Sequence, residues 1–390
     1  VLFEIENLYK FDRQPASKTL RVEMSSTYVP VAARPAPARA RGPLIWARNN
    51  LFANHWSALA TLICLALALW LVPRAANWAV LHAVFRPDAD ACQAARGVGA
   101  CWGVIGEKYR LILFGRYPYD LQWRPLVATL LLLTGLGASC APTFWRRGLV
   151  LLWLPILLVY FALMRGGVLG LSYVRTDLWG GLPLTVLLAS LSIFIAFPLA
   201  ILAALGRRSR MPAISAACTV YIELIRGVPL ISVLFMATFM LPLFMPQGFN
   251  VDVLVRVVIG ISIFAAAYLA EIIRGGLQAV PKGQLEAADS LGLSYWQCHR
   301  KVVLPQALTT VVPSIMNNFI AIFKDTSLVV IVSIYELTGA LSLALNSDVN
   351  WRPFKIESYL FIALIYFGFC FAISRYSLWV EGRMNAAKAR

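Results

Sequence analysis

QLEAADSLGLSYWQCHRKVVLP, residues 284–305, is a polar, capped stretch inside a chain of 390 residues that is 59% hydrophobic. Its punctuation predicts two short helices. Pro281 and Gly283 lead into Gln284–Leu291, Gly292 stands where a left-handed C-cap is wanted, and Ser294 with Gln297 forms a capping box that starts the second helix. Pro305 is expected to end that helix, because proline has no N–H to donate. Helices delimited this way are built to dock on something. Ala287 and Ala288 permit close approach, Glu286 offers an acceptor, and Tyr295, Trp296, His299, Arg300 and Lys301 supply an anchoring surface.

Outward from this stretch the sequence turns apolar. Only 14% of residues are charged and the mean hydropathy is +0.70, too apolar for a water-soluble chain of several domains. Apolar runs recur at Ser57–Val72, Leu126–Ala141, Gly148–Met164, Leu182–Leu205, Val228–Phe244, Val253–Leu269, Val311–Ile334 and Tyr359–Val380. A bilayer crossing takes about 20 such residues, so the fold class is an all-α polytopic membrane protein with about eight transmembrane helices.

The formal net charge is +16. The Arg and Lys residues form short clusters between apolar runs rather than one basic face, so they read as topology signals and not as a nucleic-acid surface. Arg34, Arg39, Arg41 and Arg48 precede the first run, Arg146 and Arg147 follow the second, Arg207, Arg208 and Arg210 follow the fourth, and Arg383, Lys388 and Arg390 end the chain. An even number of spans with both termini in the cytoplasm puts all of these inside. The long loop Pro73–Trp123 then falls outside; it is basic too, but long loops obey the rule weakly.

That outer loop holds Cys92 and Cys101, which in an oxidising compartment can form a disulfide or remain free. Cys64, Cys140, Cys218 and Cys370 fall in apolar runs and read as small buried hydrophobes. The pattern E-x-x-R-G occurs twice, placing Glu223 with Arg226 and Glu271 with Arg274 one helical turn apart, as intramembrane ion pairs require. Asn317, Asn318, Lys324, Asp325, Thr326 and Ser327 put polar groups in the seventh run. They are substrate-path candidates; pairing of Lys324 and Asp325 with each other, or with Glu271 or Arg274, is the structural alternative.

The chain accordingly divides into residues 1–23, an appended or upstream extension; 24–55, a disordered cytoplasmic N-terminus; 56–176, three spans with the long outer loop; 177–382, five spans with the opening stretch; and 383–390, a cytoplasmic tail.

Glu286-Ala287-Ala288, three residues, Gly292, nine residues, then Val302-x-Leu304-Pro305 resembles the EAA loop of ABC importer permeases, with Val302 where that family usually has Ile. WGGLPLT at Trp179–Thr185, RGVPL at Arg226–Leu230, AEIIRGGLQAVPKGQ at Ala270–Gln284, LPQA at Leu304–Ala307 and FKDTSL at Phe323–Leu328 are similar to the polar amino-acid branch, in particular to permeases of general L-amino-acid importers, which carry extra N-terminal spans. The resemblance covers Trp179–Glu381. It implies a five-helix type I permease core within 177–382, with cytoplasmic coupling helices that engage ATPase subunits through Glu286, Ala287, Ala288, Gly292, Leu304 and Pro305. It further implies a second homologous permease subunit as heterodimer partner, two cytoplasmic ATPase subunits that bind ATP and Mg, and a periplasmic amino-acid-binding protein. The setting it implies is a bacterial inner membrane, with transport by alternating access.

The chain has no G-x-x-x-x-G-K-[ST] loop, and His55, His82 and His299 are not spaced as metal ligands, so neither a resident cofactor nor enzymatic activity is expected. The rival reading is an ion-coupled secondary transporter of small polar solutes, for which Pro183, Pro198 and Pro229 offer helix breaks. Such folds show inverted repeats, and the two halves here are not alike.

Overall fold

A computed structural model describes residues 42–144, 149–246 and 251–388. The segment 1–23, most of the expected disordered N-terminus with Arg34, Arg39 and Arg41, and also Arg146, Arg147 and Arg390, lie outside the described residues. The chain divides into two units, Val1–Pro73 and Arg74–Arg390.

The first unit holds α1 (Pro43–Leu51) and most of α2 (His55–Ala76). Pro43 opens α1 in the first turn, where a missing N–H leaves nothing unsatisfied. The hydroxyls of Ser57 and Thr61 both donate to the Leu51 carbonyl, at 3.1 and 2.8 Å, and fix the corner between the helices. No side chain of α2 is buried. A helix this apolar, with its backbone bonds satisfied internally, has its surface matched to hydrocarbon.

In the second unit α2 ends in a π-turn, Asn77–Leu81, and is followed by α3 (Ala89–Ala94), α4 (Gly103–Phe114), α5 (Trp123–Cys140), α6 (Leu149–Arg165), α7 (Gly181–Arg207), α8 (Pro212–Gly227), α9 (Leu230–Phe235), α10 (Val253–Ala279), α11 (Lys282–Ser290), α12 (Tyr295–Cys298), α13 (Leu304–Asp325), α14 (Leu337–Asn346) and α15 (Lys355–Lys388). Among the described residues six helical stretches are long and apolar enough to cross a membrane, and α8 with Leu230–Phe244 makes a seventh as a bent pair. The third apolar run corresponds to α6, which is apolar but only 17 residues long.

The fifth run, Val228–Phe244, begins at a sharp bend. The chain bends by 107° between α8 and Leu230–Phe244. Val228 (φ −110°, ψ 137°) and Pro229 (φ −61°, ψ 143°) are both extended. A residue before proline is pushed out of the helical region, and proline cannot donate the next helical bond.

The core forms where α7 meets α10. Ala196, Ala200 and Ala204 recur every fourth residue on the buried side of α7, and α10 buries small residues on several sides, Ala266 and Ala270 among them, with Gly260 against Leu234 and Ala237. In lipid, helices associate through close packing rather than water exclusion, and small residues let their backbones approach. At Gly276 a Cβ would stand 2.5 Å from the Ala307 carbonyl oxygen of α13. α6 joins this core through Tyr160, whose hydroxyl donates to the Pro183 carbonyl at 2.9 Å.

A second, smaller core gathers Val104 and Ile112 of α4, Leu341 and Leu345 of α14, and Trp351 and Ile362. The long loop Pro73–Trp123 therefore contains packed helices. Cys92 and Cys101 are joined by a disulfide within it, and the Cys101 N–H donates to the Glu357 carboxylate at 3.0 Å.

Candidate coupling loop, charge network and substrate path

α11 follows Pro281 directly and sorts its side chains to two sides. Ala288 is buried and Leu285 packs against the core, while Glu286, Ala287 and Leu291 are exposed. Gly292 takes φ 71°. Its N–H donates to Asp289 O at 2.9 Å and that of Leu293 to Ala288 O at 3.2 Å, the paired bonds of a Schellman cap, which a left-handed glycine makes possible. Next, the Gln297 side chain accepts the Ser294 N–H at 3.0 Å and closes the capping box.

The second helix does not stop at Pro305. α12 passes through a π-turn, His299–Val303, into α13, and the stretch Tyr295–Val332 is one helical run. The Leu304 N–H reaches back five residues to the His299 carbonyl. This wider turn accommodates the Pro305 ring in the first turn of α13, so the helix absorbs the proline instead of ending at it. Cys298 and Val303 face inward, while Tyr295 and Trp296 are 52% and 65% exposed. Leu304 is half-buried and Pro305 exposed. Gln306 Nε2 donates to Gln284 Oε1 at 3.1 Å and ties the start of α11 to α13. One face of the loop is anchored and the other is free, and a push on α12 enters α13 along continuous helix.

Above the loop, both E-x-x-R-G patterns take part in one network. Arg274 Nε lies 2.9 and 3.0 Å from the two Glu271 oxygens, and its Nη2 bonds the same carboxylate. Arg207 joins the patterns, donating through Nη1 to Glu271 at 2.9 Å and through Nη2 to Glu223 at 2.7 Å. Arg226 stands farther off, 3.9 Å from Glu223. The network bolts α7, α8 and α10 together. Arg207 was legible only as one of a basic cluster in the last turn of an apolar helix; its partners are 16 and 64 residues away.

The seventh-span candidates do not converge. Asn317 and Lys324 are exposed and stand seven residues apart, near two full turns, so they share a face of α13; Asn318 and Asp325 form a second, more buried stripe. Asn318 Oδ1 is buried without a hydrogen-bond partner among the described residues. Thr326 is fully buried and bonds its own backbone at Phe323 O, 2.7 Å, and Ser327 is half-buried. Glu271 bonds Arg274 and Arg207, and neither Glu271 nor Arg274 pairs with Lys324 or Asp325 among the described residues. The reason is reach: α10 and α13 touch at Gly276 and Ala307, which leaves Lys324 17 residues, about 25 Å of helix, farther along.

Sequence reading passed over Glu336. It is fully buried past the seventh span, caps α14 by accepting the N–H groups of Thr338 (2.8 Å) and Gly339 (3.1 Å), and accepts the hydroxyls of Thr185 (3.2 Å) and Tyr366 (2.8 Å). It thereby pins α7, α14 and α15 at one point. Burial pushes its carboxyl above the usual range, and these four donors pull back against that shift. Next to it, the glycines of WGGLPLT mark a crossing of chain segments. Gly181 has φ 62°, donates its N–H to Tyr335 O at 2.9 Å, and a Cβ there would lie 2.1 Å from Leu113 O.

Residues 196–386 match the family described as "Binding-protein-dependent transport system inner membrane component". The chain is 45% identical over 363 residues to the "Inner membrane amino-acid ABC transporter permease protein YhdY" of Escherichia coli (strain K12), covering 91% of this chain and 96% of that protein. It is 36% identical over 424 residues to the "Glutamate/glutamine/aspartate/asparagine transport system permease protein BztC" of Rhodobacter capsulatus, with 91% and 96% covered. A solved structure titled "Crystal structure of an amino acid ABC transporter with histidines" is 34% identical over 51% of this chain and 90% of that one, with a TM-score of 0.45. Identity over nearly the full length of two permeases sets aside the ion-coupled reading, and makes this a transport subunit rather than an enzyme. The chain belongs to the amino-acid ABC transporter permeases, multi-pass inner-membrane components of binding-protein-dependent transport systems.

Proposed function

We propose that this chain forms one half of the path of an ATP-driven importer for L-amino acids, paired with a second, homologous permease. Two cytoplasmic ATPase subunits, which bind ATP and Mg, engage the exposed side of the loop at Glu286, Ala287, Gly292 and Pro305, while the buried Ala288 and half-buried Leu304 seat the loop on the core instead of meeting the partner. A periplasmic binding protein delivers the amino acid at the opposite end. Both termini lie in the cytoplasm, consistent with the basic clusters that flank the spans. Residues 177–382 act as the permease core and 56–176 as an extension to it. The family match lies within 196–386, whereas YhdY and BztC align over almost the whole chain.

The observation that carries this reading is the build of the coupling loop. It is capped at both turns, anchored through Ala288 and Cys298, and continuous with α13, so motion at its free face is not absorbed locally. α13 carries Asn317, Asn318 and Lys324, and the amide groups suit the ammonium and carboxylate of an amino acid. In proteoliposomes holding the whole transporter, Glu286→Lys is expected to abolish ATP-dependent uptake of labelled L-amino acids while the complex stays assembled. Uptake that persists in the variant, or that follows an ion gradient without ATP, would refute the reading.

A further inference from the structure

α7 and α10 each run for 27 residues, about 40 Å of helix, and the coupling loop follows the C-terminal end of α10. At the other end, Trp179, Leu184, Leu254, Arg256, Ile334 and Tyr335 line a cavity of about 520 Å³, a size that suits a small organic ion.

Arg256 is only 8% exposed. Its Nη1 donates to the Thr238 carbonyl, and its Nε is buried without a partner. Among the described residues no carboxylate oxygen lies within 4.0 Å of the guanidinium. The two acids in the cavity wall are engaged elsewhere. Asp177 pairs with Arg175 at 3.0 Å, and Asp252 accepts the Thr176 hydroxyl at 2.5 Å and caps α10 through the Leu254 N–H at 2.8 Å. Trp179, 3% exposed, has an indole N–H with no acceptor among the described residues. A cation and a neutral donor, both buried and both short of acceptors, thus line one cavity. Buried charge is normally matched by an opposite charge, and an unpaired buried donor is costly. Arg124 is also buried with an unpartnered Nε, but both of its Nη groups bond Ser172, at 2.8 and 2.9 Å, whereas Arg256 has a single carbonyl.

We infer that this cavity is a carboxylate-binding vestibule at the end of the permease opposite the coupling loop, with Arg256 supplying the charge and Trp179 the N–H. The carboxylate comes from the transported amino acid or from an acidic side chain of the docked binding protein; in naming these sources the inference rests on the importer reading.

The test uses the whole transporter in proteoliposomes with wild-type, R256Q, R256K and W179F chains. Two half-saturating concentrations are measured. One is that of a labelled L-amino acid which the wild type transports, with its carboxamide as competitor; the other is that of the binding protein for stimulating ATP hydrolysis. R256Q is expected to raise one of the two by about 10- to 100-fold, as loss of a charged hydrogen bond predicts. R256K should recover part of the loss, and W179F should shift the same value less. A shift in the amino-acid value, with a carboxamide that does not compete, assigns the free carboxylate; a shift in the binding-protein value alone assigns an acidic side chain of that protein. If R256Q assembles and hydrolyses ATP normally with both values unchanged, the inference is wrong. Should R256Q not assemble, unchanged values in W179F overturn it instead. Absence of ATP-dependent uptake in the wild type overturns the importer reading itself.

Discussion

The two ends of the α7–α10 pair treat partly buried charge in opposite ways. Beside the coupling loop, Glu271 accepts from both Arg207 and Arg274 at 2.9–3.0 Å, and Arg207 also reaches Glu223 at 2.7 Å. At the far end Arg256 is buried against a lone carbonyl, although two carboxylates share its cavity. A closed network fixes the relation of α7, α8 and α10 beside the loop. An unmatched cation leaves a position that only an incoming acceptor can complete. One helix pair is therefore locked at the end that faces the loop and receptive at the other.

The strongest way to break that contrast is to open the locked end. Glu271→Ala leaves Arg207 and Arg274, both about three-quarters buried, without their shared acceptor. Arg274 is then stranded while Arg207 keeps Glu223 at 2.7 Å, so the variant is expected to lose about 3 kcal/mol of stability, the low end of the range because the site is not fully dry. Denaturant unfolding in a fixed detergent measures it. The double variant with Arg207→Ala should lose less than the two single losses together, since both act on one network. A loss below about 1 kcal/mol for Glu271→Ala would mean that solvent already screens this end.

How far these features could be read in advance depends on how local they are. Apolar runs and the turn chemistry around Gly292 and Ser294 are properties of neighbouring residues, and the spans and the Schellman cap follow from them. The i,i+3 spacing of Glu271 and Arg274 is local too. Their bridge to Arg207 crosses 64 residues, which no spacing rule reaches. Pro305 was misread because a π-turn, invisible in composition, absorbs it. Glu is not a preferred N-cap, so Glu336 gave no signal before Thr185 and Tyr366 were seen around it. Arg256 did leave a mark, as a single cation inside the apolar run Val253–Leu269, and intramembrane cations are functional suspects.

Glu336 sharpens the description of the far end through pH. Its folded carboxyl keeps its proton to a higher pH than the unfolded one, for which 4.5 is the usual value. Between that value and the raised folded one the native state binds more protons, so this group's contribution to stability is complete below pH 4.5 and is lost as pH rises through the window. Glu336→Gln cannot titrate. Subtracting its unfolding free energy from that of the wild type, from pH 4 upward, should give a difference that falls with pH and then levels. The amide oxygen can still cap α14, so the cost at the low-pH end should be about 1 kcal/mol. Parallel curves would show that the carboxyl ionises normally despite its burial.

The smallest expected effect sets two identical motifs against each other at the locked end. Glu271 and Arg274 bond through several atoms with side chains 22% and 26% exposed, whereas Glu223 and Arg226 stand 3.9 Å apart and are 54% and 34% exposed. The same E-x-x-R-G spacing yields two outcomes because Glu223 turns to Arg207, leaving Arg226 at the edge, 5.8 Å from the Tyr268 ring. Arg226→Ala should therefore change stability by no more than about 0.5 kcal/mol, and added salt should erase what remains. Arg274→Ala, which removes charge-assisted bonds from a shielded carboxylate, should cost about 2 kcal/mol and persist in salt. Equal losses for the two arginines would show that spacing alone, and not shielding by α7, sets the strength of these pairs.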